Sequence, residues 1–139
     1  MCRSKWVFVP LISVMGLDFC FTLVGQPNCY WEGLHNSCVE TSPIGRAFLK
    51  AGPEYFISAY VVYVVIVCLM VGRLRDFIDT AFVMGLIMGH AWGSSTWLPN
   101  MFYTLFRFDL GPEDLWYLHV GYFMFISILC GIFLPNRKR

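Results

Sequence analysis

Charge is what this chain has least of. Lys, Arg, Asp and Glu make up 14% of its 139 residues, against about a quarter in an ordinary soluble domain. Ten basic and nine acidic side chains cancel to a net +1, so there is no positive field to hold nucleic acid. Long linkers and internal repeats are missing too, and 16.0 kDa is enough for one domain and not for two. The short motifs of familiar chemistries are also absent. The sequence has no Cys-x-x-Cys, no His-Glu-x-x-His and no Gly-x-Ser-x-Gly; Trp92-Gly93-Ser94-Ser95-Thr96 offers a serine without the second glycine. Dithiol oxidation, zincin hydrolysis and a serine nucleophile elbow are therefore without their signatures.

What the chain does have is apolar surface. Hydrophobic residues reach 58%, aromatics 18% and the mean hydropathy +0.61, the balance of an all-α integral membrane protein. Four runs are long and apolar enough to be read as spans, at about 6–25, 55–72, 77–98 and 115–134. They predict one transmembrane domain over residues 1–139, a four-helix bundle. Pro99 and Pro135 fall just beyond the third and fourth runs, where prolines commonly stop helices.

Orientation follows from the basic residues, which favour the cytoplasmic side. Arg3, Lys5, Arg73, Arg75, Arg137, Lys138 and Arg139 gather on one side, and Arg46, Lys50 and Arg107 on the other. Both termini are thus expected inside. Tyr30, Trp31, Tyr55, Trp97, Trp116 and Tyr117 collect at the outer ends of the runs, where amphipathic rings settle. The first run reads as a retained span and not as a cleaved signal, because Asp18 interrupts it and no small-x-small cleavage site follows.

The polar stretch from Gln26 to about Pro53 is then outside. Cys29 and Cys38 can close a disulfide there if the compartment is oxidising, whereas Cys20, Cys68 and Cys130 sit in spans as small apolar packers. Ser42 followed by Pro43 has the chemistry of an N-cap with a first-turn proline. Ile44, Ala47, Phe48 and Ala51 recur at helical spacing with Arg46 and Lys50 opposite, which predicts a short amphipathic helix on the outer surface.

Ionisable side chains inside apolar runs are expensive and mark candidate sites. Asp18, His90 and His119 are the three. At 1.5 Å per residue they lie roughly 10, 12 and 6–9 Å below the outer boundary, in one layer. Each has a hydroxyl on its own face: Thr22 for Asp18, Ser94 for His90 and Tyr122 for His119. One reading is interhelical hydrogen bonding. The others are a metal site of Asp18, His90 and His119 with Glu40 dipping from the outer loop, a haem held between His90 and His119, or proton or ion conduction through Asp18. Asp79, beside Arg73, Arg75 and Asp76, and Glu54 read as helix-end charges. Gly85, Gly89 and Gly93 form a four-residue stripe for close helix packing, either within the chain or against another copy.

Thr22-Leu23-Val24-Gly25-Gln26-Pro27 with Tyr30-Trp31, and Glu40-Thr41-Ser42-Pro43-Ile44-Gly45-Arg46, resemble a group of small bacterial polytopic membrane proteins of unknown function. That group is similar in an Asp-x-x-x-Thr of the first span, here Asp18 and Thr22, and a Glu-x-Asn-Pro after the first outer loop, where this chain has Ser42 for the asparagine. The resemblance covers about the first third of the chain and implies a bacterial inner membrane, with no activity attached. The function expected is that of a non-enzymatic accessory or scaffold protein acting by helix association. Its partners would be the lipid bilayer and further copies or a larger membrane complex, and no cofactor is expected. The alternative is a membrane enzyme or an ion- or proton-translocating protein built on Asp18, Glu40, His90 and His119, with a divalent metal or haem as its cofactor.

Overall fold

The computed structural model describes residues 8–73, 77–106 and 110–133. Arg3, Lys5, Arg75, Arg107, Arg137, Lys138 and Arg139, on which the expected orientation leans, lie outside the described residues, as does the side chain of Asp79. Among the described residues the chain is all-helical. Its six helices are α1 (Phe8–Val24), α2 (Asn28–Trp31), α3 (Pro43–Ala51), α4 (Pro53–Arg73), α5 (Phe77–Phe106) and α6 (Pro112–Phe133), with a 3₁₀ turn at His35–Ser37.

The four long helices match the predicted runs within a few residues, except at one end. Expected to stop near Leu98, α5 runs on through Pro99 to Phe106. Proline removes one helical donor but its φ suits the helix, so a sufficiently anchored helix bends instead of ending. The anchor here is Asn100, whose Nδ2 donates to the Gly25 carbonyl at the end of α1 over 3.2 Å. Gly25 also abuts the ring of Trp97, leaving no room for a Cβ.

Residue pairing fixes the helix directions. Asp18 meets His90 and Gly25 meets Asn100, so α1 and α5 run parallel. Tyr63 of α4 meets His90 and Tyr122 of α6 meets Ser94, and Val67 and Val71 of α4 and Ile126 and Cys130 of α6 join one apolar cluster with Val83 and Ile87 of α5, so α4 and α6 run against α5. Leu11, Val14, Met15, Val67, Val71, Val83, Ile87, Ala91, Ile126 and Cys130 form one apolar cluster drawn from all four long helices. That cluster fills the end where α1 begins, and the polar side chains come together in the layer above it.

Two helices, Pro53–Arg73 and Glu113–Ile132, are long and apolar enough to cross a membrane. Only 11% of each is buried inside the molecule, so neither is a buried core helix.

The segment between α1 and α4 packs as a small cap. Gln26 reaches across it, its Nε2 donating to Thr22 O (2.8 Å) and Val39 O (3.1 Å) while its Oε1 accepts from Val39 N at 2.9 Å. Ser42 caps α3 through Oγ, accepting from Gly45 N, and Pro43 opens the helix, both as the sequence predicts. α3 is held to the cap by Leu49, which is buried and whose carbonyl accepts from the Tyr30 hydroxyl (3.2 Å), while Ile44 and Phe48 of the expected apolar face are exposed.

Candidate functional site

Just above the apolar cluster, three helices bring their polar side chains into one chain of hydrogen bonds. α1 supplies Asp18, α5 supplies His90 and α4 supplies Tyr63. His90 Nδ1 lies 2.7 Å from Asp18 Oδ2, and His90 Nε2 lies 3.0 Å from the Tyr63 hydroxyl. A carboxylate accepts only, so Nδ1 carries the proton and donates to Asp18. In a neutral ring Nε2 has a free pair that accepts from the Tyr63 O–H, and in a protonated ring Nε2–H donates to the phenol oxygen instead. Either arrangement satisfies all three side chains.

The close approach of Asp18 depends on Gly93. A Cβ at that position would stand 2.9 Å from Asp18 Oδ1 and 3.4 Å from its Cγ. On the other flank Phe19 stacks on Tyr60, with ring centroids 4.2 Å apart, and on Phe56 at 5.6 Å, docking α4 beside the carboxylate. A second hydroxyl pair adjoins the first. Ser94 Oγ donates its one proton to the carbonyl of His90 (2.7 Å) and therefore accepts from the Tyr122 hydroxyl at 2.6 Å. The polar layer thus joins all four long helices.

Of the four residues expected to share a metal, the structure brings two together. Asp18 and His90 bond to each other. His119 turns to its own helix, Nδ1 donating to the Leu115 carbonyl at 2.6 Å. Glu40 stays in the cap, where Oε1 accepts from Ser42 N (2.7 Å) and its carbonyl accepts from Arg46 Nε (2.6 Å). Among the described residues no three His, Cys, Asp or Glu side chains are grouped to hold a metal ion. His90 and His119, expected to hold a haem between them, belong to separate hydrogen-bond systems.

The glycine stripe also differs from the packing expected within the chain. Gly93 meets Asp18, but nothing lies within 4 Å of where a Cβ would stand on Gly85 or Gly89. These two face outward, and Met88 and Trp92, on the same helix face, are 66% and 68% exposed. Cys29 and Cys38 are free. The Cys29 thiol points to Ser37 Oγ at 3.1 Å and the Cys38 thiol to the Arg46 carbonyl at 4.0 Å, so each sulfur has its own partner in place of the other. In the same cap, burial of Tyr30 pushes its phenol above the ordinary value, with Cys38 and Glu54 adding charge repulsion in the same direction.

Two members of the layer are not legible from depth alone. Tyr63 lies in an aromatic and β-branched run that reads only as apolar, and its signal is the Tyr60, Tyr63 spacing that puts two phenols near one side of α4. Tyr122, expected beside His119, bonds instead to Ser94. No family model matches the chain, and no curated protein or solved structure matches it either.

Proposed function

We propose that the chain is a four-span integral membrane protein, a four-helix bundle with both termini cytoplasmic, that acts without catalysis as an accessory or scaffold by packing against another transmembrane helix. The observation that carries this is the outward face of α5, where Gly85, Met88, Gly89 and Trp92 follow one another at helical spacing with no cover over either glycine. In hydrocarbon there is no hydrophobic drive between helices, so small residues that let backbones approach mark the contact. Met88 and Trp92, exposed along one side of the bare strip, offer large apolar side chains to a helix that packs on it.

The membrane itself is supported by α4. Its Val61-Val62-Tyr63-Val64-Val65-Ile66-Val67 run favours strand in water, and with 11% of the helix buried packing does not override that preference. Hydrocarbon does, because only a helix satisfies a single span's backbone there. The polar residues of α5 fit the same reading. Ser94 and Ser95 are buried and hydrogen-bonded to α5 carbonyls, so these two hydroxyls are turned inward while Met88 and Trp92 are turned out. The exposed Ile44 and Phe48 of α3, with Arg46 and Lys50 on the opposite face, suit a helix lying at the membrane surface.

The test is the assembly state in nanodiscs or mild detergent, read by native mass spectrometry and cross-linking. Gly89→Leu places bulk on the bare strip and should weaken the assembly by about 1–3 kcal/mol, roughly five- to 150-fold, with thermal unfolding of the protomer little changed. Gly121→Leu, also open but outside the strip, should leave the assembly as it is. Equal behaviour of the two variants overturns the assignment.

A further inference from the structure

We propose that Asp18 and Thr22 form a binding site for a monovalent metal cation, inside the bundle where α1 passes Gly93 of α5. Two observations point there together. Thr22 is buried, at 5% exposed, and although its carbonyl accepts from Gln26, its hydroxyl has no partner among the described residues. Asp18 uses only one of its carboxylate oxygens. Oδ2 takes the His90 proton at 2.7 Å, while Oδ1 rests against the backbone of Gly93, 2.9 Å from where a Cβ would stand, and has no donor either.

A buried hydroxyl without a hydrogen bond is costly, and it marks the place of a water or an ion. Asp18 and Thr22 are four residues apart, which sets the two unused groups one turn from each other on one face of α1. Tyr60 of α4 stands at the same corner, stacked on Phe19 and within the field of the Asp18 carboxylate, and its hydroxyl is likewise unpaired among the described residues. In the proposed orientation Thr22 lies roughly 6 Å nearer the outer boundary than Asp18, between the carboxylate and the outer water.

Charge decides between water and an ion. With the His90 ring neutral, the carboxylate carries a full negative charge, and among the described residues no Lys or Arg is paired with it. Such a charge inside an apolar span is expensive, and water does not neutralise it. A monovalent cation does so one for one, whereas a divalent ion would leave an excess positive charge with no second carboxylate to meet it. The donors on offer are carboxylate and hydroxyl oxygens, which hard cations take. Both ring nitrogens of His90 are occupied, by Asp18 and Tyr63, so the imidazole that a transition metal would select is not free. The corner faces the interior and uses none of the Gly85 to Trp92 strip, so the failure of either proposal leaves the other standing.

The experiment is thermal unfolding of the full chain in lipid nanodiscs at pH 8, where an ordinary histidine is neutral. Sodium chloride replaces choline chloride at constant ionic strength, and sodium-23 relaxation reads binding directly. Sodium should raise the unfolding temperature saturably, by roughly 5–10 °C once it exceeds its dissociation constant a hundredfold, and its relaxation should quicken in the presence of the protein. Asp18→Asn removes the charge and should abolish both effects. Thr22→Val replaces the hydroxyl by a methyl group of similar size. In choline it should unfold no lower than the native chain, because an unpaired buried hydroxyl adds no stability there, yet it should need about tenfold more sodium for the same response. Identical unfolding in the two salts leaves only water in the corner and overturns the site. A sodium response that survives Asp18→Asn or is unchanged by Thr22→Val overturns it too, as does a Thr22→Val chain less stable in choline, which would show that the hydroxyl is already paired.

Discussion

At the scale of single residues, what the sequence makes legible is cost, and what it hides is direction. Asp18 and His90 stand out because each is ionisable in an apolar run, and counting residues along a helix is enough to put them at one depth. Rotation about the helix axis is not counted by depth, which is why His119 shares the layer on paper and bonds to its own helix in the fold, while Glu40, expected to dip in from the loop, is held in the cap by Ser42 and Arg46. Tyr63 carries the opposite lesson, since an aromatic in an apolar run costs little and draws no notice until a partner appears. Gln26 is similar. Read only as the start of a polar loop, it is buried and makes three hydrogen bonds that hold the cap to α1. Gln26→Ala strands both the N–H and the carbonyl of Val39, and it should cost about 1–3 kcal/mol. The loss should appear as faster amide hydrogen exchange through residues 35–42 before any change in α4 or α6. Exchange that rises uniformly along the chain would show that the clamp is not local.

At the scale of elements, the long helices are legible because twenty apolar residues have few alternatives, and their ends are legible only where chemistry stops them. Ser42 and Pro43 do so for α3. Pro99 does not for α5, because a tertiary hydrogen bond from Asn100 outweighs a missing donor. The joint between α3 and α4 is set by Gly52, whose φ of +139° lies where side-chain-bearing residues are strained. Its N–H donates to the Phe48 and Leu49 carbonyls and its own carbonyl accepts from Tyr55 and Phe56, so one residue closes one helix and opens the next. A Cβ there would also stand 2.6 Å from a Glu54 carboxylate oxygen. Gly52→Ala should therefore lower stability by about 1–3 kcal/mol. Gly16→Ala, inside α1 with open space around it, should raise stability by up to about 1 kcal/mol. Thermal unfolding of the two variants in one detergent checks both signs.

At the scale of the whole molecule, the parallel pairing of α1 with α5 and the return of α4 and α6 place the beginning of α1 and the end of α6 at one end and the cap at the other. Hydropathy alone distinguishes α4 and α6 from their neighbours. α1 has 17 described residues, roughly 26 Å of helix, and α5 is diluted by His90, Ser94, Ser95, Thr96 and Asn100. This difference gives the number of crossings a decisive test. If all four long helices cross, three crossings separate the cap from the carboxyl terminus, and the two lie on opposite sides. If only α4 and α6 cross, two crossings separate them, and they lie on the same side. An epitope inserted at residue 36 and another at the carboxyl end, probed in intact and in permeabilised cells, read the parity directly. The proposed orientation expects the tag at residue 36 to be reached from outside and the terminal tag only after permeabilisation, as the excess of basic residues near the termini requires. With α4 and α6 crossing, tags reached together would remove α5 from the membrane. The outward face of α5 would then meet water, and the glycine strip would lose the hydrocarbon surroundings on which its role as a helix contact depends.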